Sequence, residues 1–501
     1  MRLWLCCFAL VVGLSLDAHA QSGRWIRAES PGFVVYSTSS EERVRGIVND
    51  LEAFDALLRR LTGTTEARSP TKLEIYLFNG PGQYQEAFPG DSSMVRGRYS
   101  ARPDIIAAYA IYRDRYGLDA QEILFHEYAH HFMYQHFANA YPAWYVEGFA
   151  EFAAATDFED DRIVLGRVSD ARSGWLFSGS WLPMADLITG MPRDADEIAR
   201  FYAQSWLFTH YLFNTEGALA KFRAYVRELR LGAAPDAAFR AGFGVSPAEM
   251  QSTLQTYLQR NPTALALTRP AAVERQAIEI TRLPPSADEL LPLTTRVRRG
   301  WMSDEAEGEL LARIRRIVGE PADSFALLAL AEAEARYGDV AAARSLLAPY
   351  IEANPQHVQG QYLMGVSYAR EADAAEERGD TEARDAARAQ ARRHFSRAFR
   401  LDGNHVPTLF RYARTYAGAP MDESGENALN ALLLARQLAP QVSDITFMAA
   451  DWLLAANRPS EAIPMLRVIA FNPHGGEAAD RAKEKLREAE AALAQAAPAT
   501  Q

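Results

Sequence analysis

His126 and His130 stand four apart in the segment His126-Glu127-Tyr128-Ala129-His130, and Glu147 follows seventeen residues after the second histidine. On a helix, residues i and i+4 share a face, so the two imidazoles can offer nitrogens to one ion. Glu127 is rotated about 100° from His126 and borders the open coordination position. Zn²⁺ takes about four tetrahedral ligands; a catalytic site draws three from protein and leaves the last for water, whose pKa falls to about 7. Glu147 is the expected third ligand. Two neutral imidazoles and one carboxylate leave the ion with a net charge of about +1, enough to polarise both water and a substrate carbonyl. Glu127 is the expected base, taking the water proton and passing it to a leaving amine. The competing reading is a charged helix face with a stray histidine pair. Against it, Ile123, Leu124, Phe125, Phe132 and Met133 make the helix too apolar to lie exposed. Buried imidazoles and carboxylates need partners, and a metal satisfies them.

Glu147 and Glu151 repeat the i, i+4 spacing in Tyr145-Val146-Glu147-Gly148-Phe149-Ala150-Glu151-Phe152, whose other positions are mostly apolar. One carboxylate can bind metal while the other receives the second N–H of a ligating histidine, fixing its tautomer. Glu151 is the candidate for that task, toward His126. These two segments together resemble the gluzincin clan, as in thermolysin and aminopeptidase N, and most of all the bacterial secreted peptidase MA-like proteins. The resemblance covers roughly residues 25 to 262. It implies zinc bound by His126, His130 and Glu147, with Glu127 as base. The connection from the motif to Glu147 is somewhat shorter than in that clan, Val146 stands where aminopeptidases carry Asn, and no Gly-Ala-Met-Glu-Asn segment is present. An endopeptidase is therefore expected.

Such chemistry also needs a donor for the tetrahedral oxyanion. Phe201-Tyr202-Ala203-Gln204-Ser205-Trp206 resembles a recurrent Tyr-Ala-Gln-Ser element of the peptidase MA-like group, which makes Tyr202 the first choice and His210 the second. The competing reading places both in a core with Trp206, Leu207, Phe208, Tyr211 and Leu212. His131 and His136 fall off the His126/His130 face and read as packing or surface residues.

Residues 1–20 read as a secretory signal peptide: Arg2, an apolar run from Leu3 to Leu16, and Ala18-His19-Ala20 as a small-x-small cleavage site. An exported protein, periplasmic or secreted from a bacterium, is expected. Cleavage removes Cys6 and Cys7, the only cysteines, so no disulfide is expected in the mature chain. The net charge of −11 argues against nucleic acid and anionic membrane surfaces as partners, and no later stretch is long and apolar enough to span a bilayer. With 48% hydrophobic residues in 501, two or three domains with real cores are expected. A cysteine nucleophile is excluded by the mature composition, and no Gly-x-Ser-x-Gly pattern marks a serine nucleophile.

The elements that must position these residues are a small sheet and active-site helices. Gly32-Phe33-Val34-Val35-Tyr36 reads as an edge strand, 41–61 as an amphipathic helix, 72–78 as a strand, and 94–110 as a hairpin turning at Arg102-Pro103-Asp104. The motif helix is expected from about Asp119, a possible N-cap, to Phe137. Residues 21–262 form the expected peptidase-like domain and 263–319 a helical connector. From 320 to 495 a helical pair recurs with a period near 34, seen in Leu330-Ala331, Gly338-Asp339, Ala343, Leu347 and Pro355 and again in later phases. This resembles a tetratricopeptide array, with 476–493 as a capping helix and 371–392 as a solvated helix extension. The fold class is thus α+β, a gluzincin-like domain followed by an all-α solenoid. Such arrays bind peptides or partner proteins on a concave surface. Two functions follow: an exported zinc metallopeptidase whose repeats dock a partner or a protein substrate, or a catalytically silent peptidase-like scaffold binding envelope proteins through the repeats. The intact base Glu127 favours the first, because a structural metal does not need it.

Overall fold

The computed structural model describes residues 25–496 apart from 92–94, 113–119, 138–140, 160–161, 169, 178–179, 261, 269–276, 301, 321–322 and 472–475. The expected signal peptide and the Asp119 cap lie outside the described residues. Strands β1 (Ile26–Glu29) and β2 (Phe33–Ser37) pair antiparallel; helix α1 (Glu41–Thr62) then crosses over to β3 (Leu73–Phe78), parallel to β2. After α2 (Pro81–Ala87) come β4 (Gly97–Arg102) and β5 (Ile105–Ile111), an antiparallel hairpin whose β5 runs parallel to β3. The turn falls at Pro103-Asp104, as the sequence suggests.

Both faces of this sheet are covered, which explains its near-continuous apolar strands. Side chains alternate between faces with period two. Leu73, Ile75 and Leu77 join Ala108 and Ala110 in the core under α1, whereas Tyr76 and Phe78 join Tyr109 and Ile111 against α2 and Trp25. On the first face lie α3 (Ala120–His136) and α4 (Ala143–Ala154), the two helices that carry the candidate ligands.

Next come β6 (Thr156–Phe158), β7 (Arg162–Leu165), α5 (Asp170–Phe177), the single turn α6 (Met184–Leu187) and α7 (Ala195–Asn214). Helices α8 (Ala218–Arg230), α9 (Pro235–Phe243) and α10 (Pro247–Gln259) complete this part, and Ser246 and Glu249 form a reciprocal capping box on α10.

Two sequence expectations are corrected here. The stretch 263–319 is not wholly a helical connector. It returns two strands, β8 (Leu265–Thr268) beside β7 and β9 (Glu279–Arg282) beside β1. The strand at 33–37 is not an edge either: the sheet order is β4-β5-β3-β2-β1-β9, so β2 lies inside and β4 is an edge.

Helices α11 (Ala287–Arg299) and α12 (Asp304–Val318) lead into a run of antiparallel pairs: α13 (Ser324–Tyr337) with α14 (Val340–Ala353), α15 (Val358–Glu377) with α16 (Thr381–Leu401), α17 (Val406–Arg414) with α18 (Glu423–Leu438), and α19 (Ser443–Ala455) with α20 (Pro459–Ala470), closed by α21 (Gly476–Ala496). Small residues mark the helix contacts; a Cβ at Gly365 would meet the Phe395 ring 2.5 Å away. The solvated extension expected at 371–392 is the far half of the long α15–α16 pair.

The array packs against the sheet domain. Leu291 of α11 shares a core with Trp25 and Tyr109, Arg299 donates to the Ala87 carbonyl at 2.8 Å, and Arg313 pairs with Glu86. No described helix is long and apolar enough to cross a membrane.

Candidate metal centre

Helix α3 is apolar almost all round, so it is buried on several sides rather than on one stripe. Behind it, Phe125 stacks on Phe54 of α1 with ring centroids 4.1 Å apart. The motif residue Tyr128 donates to Asp55 at 2.7 Å, and Asp55 is held by Arg59 and Arg68 at 2.9 and 2.6 Å. This network fixes the axial register of α3 against α1.

Helix α4 lies between α3 and α7, and the approach to α7 is set by Gly148. A Cβ there would stand 2.3 Å from the Ser205 carbonyl oxygen and 2.4 Å from Thr209 Oγ1. Only glycine permits that backbone contact. Glu147, the residue before it, faces α3.

His126, His130 and Glu147 converge there. His126 Nε2 and His130 Nε2 are 3.1 Å apart, and each lies 3.5 Å from Glu147 Oε2. Ligands at roughly 2.0–2.2 Å from a tetrahedral ion are separated by roughly 3.3–3.6 Å. The two separations to Glu147 fall in that range and the 3.1 Å between the imidazoles lies just below it, so the three atoms could hold one ion, and a His₂Glu donor set is of the kind zinc accepts. They form the one group of three or more His, Cys, Asp and Glu among the described residues that could hold a metal ion.

Glu151 Oε1 is 3.3 Å from His126 Nδ1, leaving Nε2 to face His130 and Glu147. A residue that the sequence reading missed completes this chain. Arg172 of α5 donates to both Glu151 oxygens at 2.7 Å. Burial works against ionised Glu151, but Arg172 and His126 outweigh it and hold the carboxyl down at about 2. For His126, burial opposes the charged ring, and bonds to Glu147 and Glu151 overcome it, so its basicity is raised.

Glu127 is half-buried and leans against the edge strand: a Cβ at Gly97 of β4 would stand 3.2 Å from Glu127 Oε1. Burial raises its carboxyl above the usual range, which suits a group that must take up a proton. β4, an edge strand of the sheet, thus lies beside the motif at Gly97.

Tyr202 reaches this site. Its ring centroid is 6.3 Å from that of His126, and the Arg172 guanidinium lies 5.1 Å over its face. Burial, then the Glu147 and Glu151 charges, push its phenol well up, so it keeps its proton and remains a donor. His210 does not reach it. It is fully buried two turns further along α7, with Nδ1 2.8 Å from Tyr257 Oη and its ring edge-on to Phe152. Its place is the core, and the alternative of His210 as oxyanion donor is set aside. Gln204, in the same Tyr-Ala-Gln-Ser element, makes a paired bond to the backbone of Leu182, accepting at 2.7 Å and donating at 3.0 Å. His131 is buried with Nδ1 3.1 Å from Tyr99 Oη and its pKa lowered by burial to about 3. His136 sits between Arg59 and Glu66. Neither joins the cluster.

Comparison with known proteins adds little to this geometry. No family model matches the chain, and no curated protein matches it. Among solved structures, the chain is similar to a thermophilic TPR protein from Thermus thermophilus at 20% identity, covering 38% of this chain and 92% of that one with a TM-score of 0.29.

Proposed function

We propose that this chain is an exported zinc-dependent metallopeptidase, an endopeptidase whose helical repeats dock a partner or a protein substrate. The observation that carries the reading is the convergence of His126 Nε2, His130 Nε2 and Glu147 Oε2 at 3.1–3.5 Å beside the intact base Glu127. Zinc held by these three residues would supply Lewis acidity toward a water molecule and a substrate carbonyl.

The chain's own residues do the rest. Glu127 accepts the proton of the attacking water on its carboxylate and returns it to the nitrogen of the leaving amine. Arg172 and Glu151 hold the His126 ring so that Nε2 faces the ligand cluster. Tyr202 offers its phenolic hydrogen to the carbonyl oxygen as negative charge grows there. The unpaired side of β4 offers main-chain groups to an extended peptide, which would lie beside Glu127.

The test is zinc content by mass spectrometry of the purified protein, together with hydrolysis of an unstructured protein by wild type and Glu127→Gln. About one zinc per chain, with hydrolysis lost in the variant, supports the peptidase. One zinc and no hydrolysis in either form would leave the scaffold reading.

A further inference from the structure

Asp104, at the tip of the β4–β5 hairpin, reaches out of the sheet domain to side chains of α13, α15 and α17. Arg336 of α13 and Arg411 of α17 bind its Oδ2 at 3.1 and 2.5 Å, and Tyr362 of α15 donates to its other oxygen. Burial disfavours the ionised carboxylate, but the two guanidinium charges outweigh it and hold Asp104 well below the usual carboxylate range. Three successive helical pairs therefore contribute one residue each to a built carboxylate site.

That site is the inner end of a larger cavity of about 710 Å³ between the hairpin tip and helices of the array. The size lies within the roughly 300–1,000 Å³ typical of ligand pockets. Its described lining holds eight arginines and five carboxylates; Arg298 and Arg336 are also paired with Glu332 and Arg388 with Glu376, which leaves Arg299, Arg370 and Arg414 without a salt bridge among the described residues.

Several of these cations have capacity to spare. Arg414 is exposed and has no salt bridge among the described residues. Arg370 donates only to the backbone carbonyls of Gly338 and Glu334. The Nε of Arg411 is buried without a hydrogen-bond partner. A fixed guanidinium fork selects a planar carboxylate, and several in one cavity select a run of them.

We propose that the arginine-lined cavity between the β4–β5 hairpin and the repeats binds an acidic segment of a polypeptide, with the Asp104 carboxylate marking the mode of recognition. This deepens the docking half of the proposed function by naming the chemistry of what docks, and it does not depend on the metal. Nucleic acid is the disfavoured occupant, because the rest of the acidic surface repels a long polyanion. A short acidic peptide needs only the cavity.

The test is fluorescence anisotropy of a labelled octaglutamate peptide with the full mature chain carrying Glu127→Gln, so that hydrolysis does not consume the probe. Octaglutamate should bind, octalysine should not, and raising the salt from 50 to 200 mM should weaken the complex. Arg414→Glu and Arg370→Gln should each weaken binding at least tenfold while circular dichroism stays unchanged. Octaglutamate binding no tighter than octalysine, binding unchanged in both variants, or equal binding of a single-stranded oligonucleotide would overturn the proposal. Because the readout is binding, peptide capture without hydrolysis would retain this site and remove the peptidase, and the reverse result would do the opposite.

Discussion

Arg172 holds both oxygens of Glu151 at 2.7 Å, and no other described side chain makes so symmetrical a contact with the ligand cluster's surroundings. The arginine touches no candidate ligand, yet it decides where Glu151 can stand, and Glu151 decides the ring orientation of His126. Arg172→Ala should weaken zinc binding by about 10–100-fold, read by competition with a chelator of known affinity. Arg172→Lys should recover part of the loss, since a lysine supplies charge without the planar fork.

Glu127→Gln should leave the zinc content at wild-type level and lower turnover by at least about 100-fold. Zinc analysis and hydrolysis measured on the same preparation separate a lost base from a lost metal. Unchanged turnover would remove Glu127 from the role.

Glu147→Ala takes away the carboxylate that both histidines face at 3.5 Å. Zinc affinity should fall by more than the Arg172 variant's loss, at least about 100-fold, because a ligand is removed and not merely its support. Full zinc content in this variant would show that the third ligand lies elsewhere.

Gly148→Ala places a methyl 2.3 Å from the Ser205 carbonyl oxygen, and backbone cannot yield as a side chain can. The expected cost is about 1–3 kcal/mol, visible as a lower urea midpoint. Zinc binding should weaken with it, since α4 must move off α7 and carries Glu147 along.

Asp104 gives a pH prediction. Its folded-state pKa is depressed, so the stability it contributes is present above the unfolded value near 3.9 and is lost as pH falls below it. Asp104→Asn should therefore destabilise by about 3–5 kcal/mol at pH 7, and the gap to wild type should narrow below about pH 4. Urea unfolding across pH 3–7 measures this directly. A gap that widens toward acid would reverse the sign and refute the clasp.

The convergence of the candidate ligands was legible because its signals are local. Helical spacing alone puts His126 and His130 on one face, and the second i, i+4 pair ties Glu147 to Glu151. Arg172 was not, since it comes from a separate helix 21 residues after Glu151 and carries no motif; only the need of a buried carboxylate for a cation points to it. Tyr202 and His210 looked alike along the sequence, and it is their eight-residue separation on α7 that puts one at the site and the other in the core. The edge expected at 32–36 failed because β1 is only four residues long and β9, which pairs with it, lies about 250 residues away. Periodicity reads a strand's faces but not its neighbours.

That last pairing has a consequence for how the molecule is made. Residues 26–29 emerge early in synthesis with one side already able to pair with β2, while the other waits for residues 279–282. Until then the nascent sheet presents an open backbone edge, the kind of template that recruits other chains. Closing so long a loop costs chain entropy that no local helix formation has to meet. A chain ending at 262 would hold every candidate ligand and still lack the strand that seals its sheet.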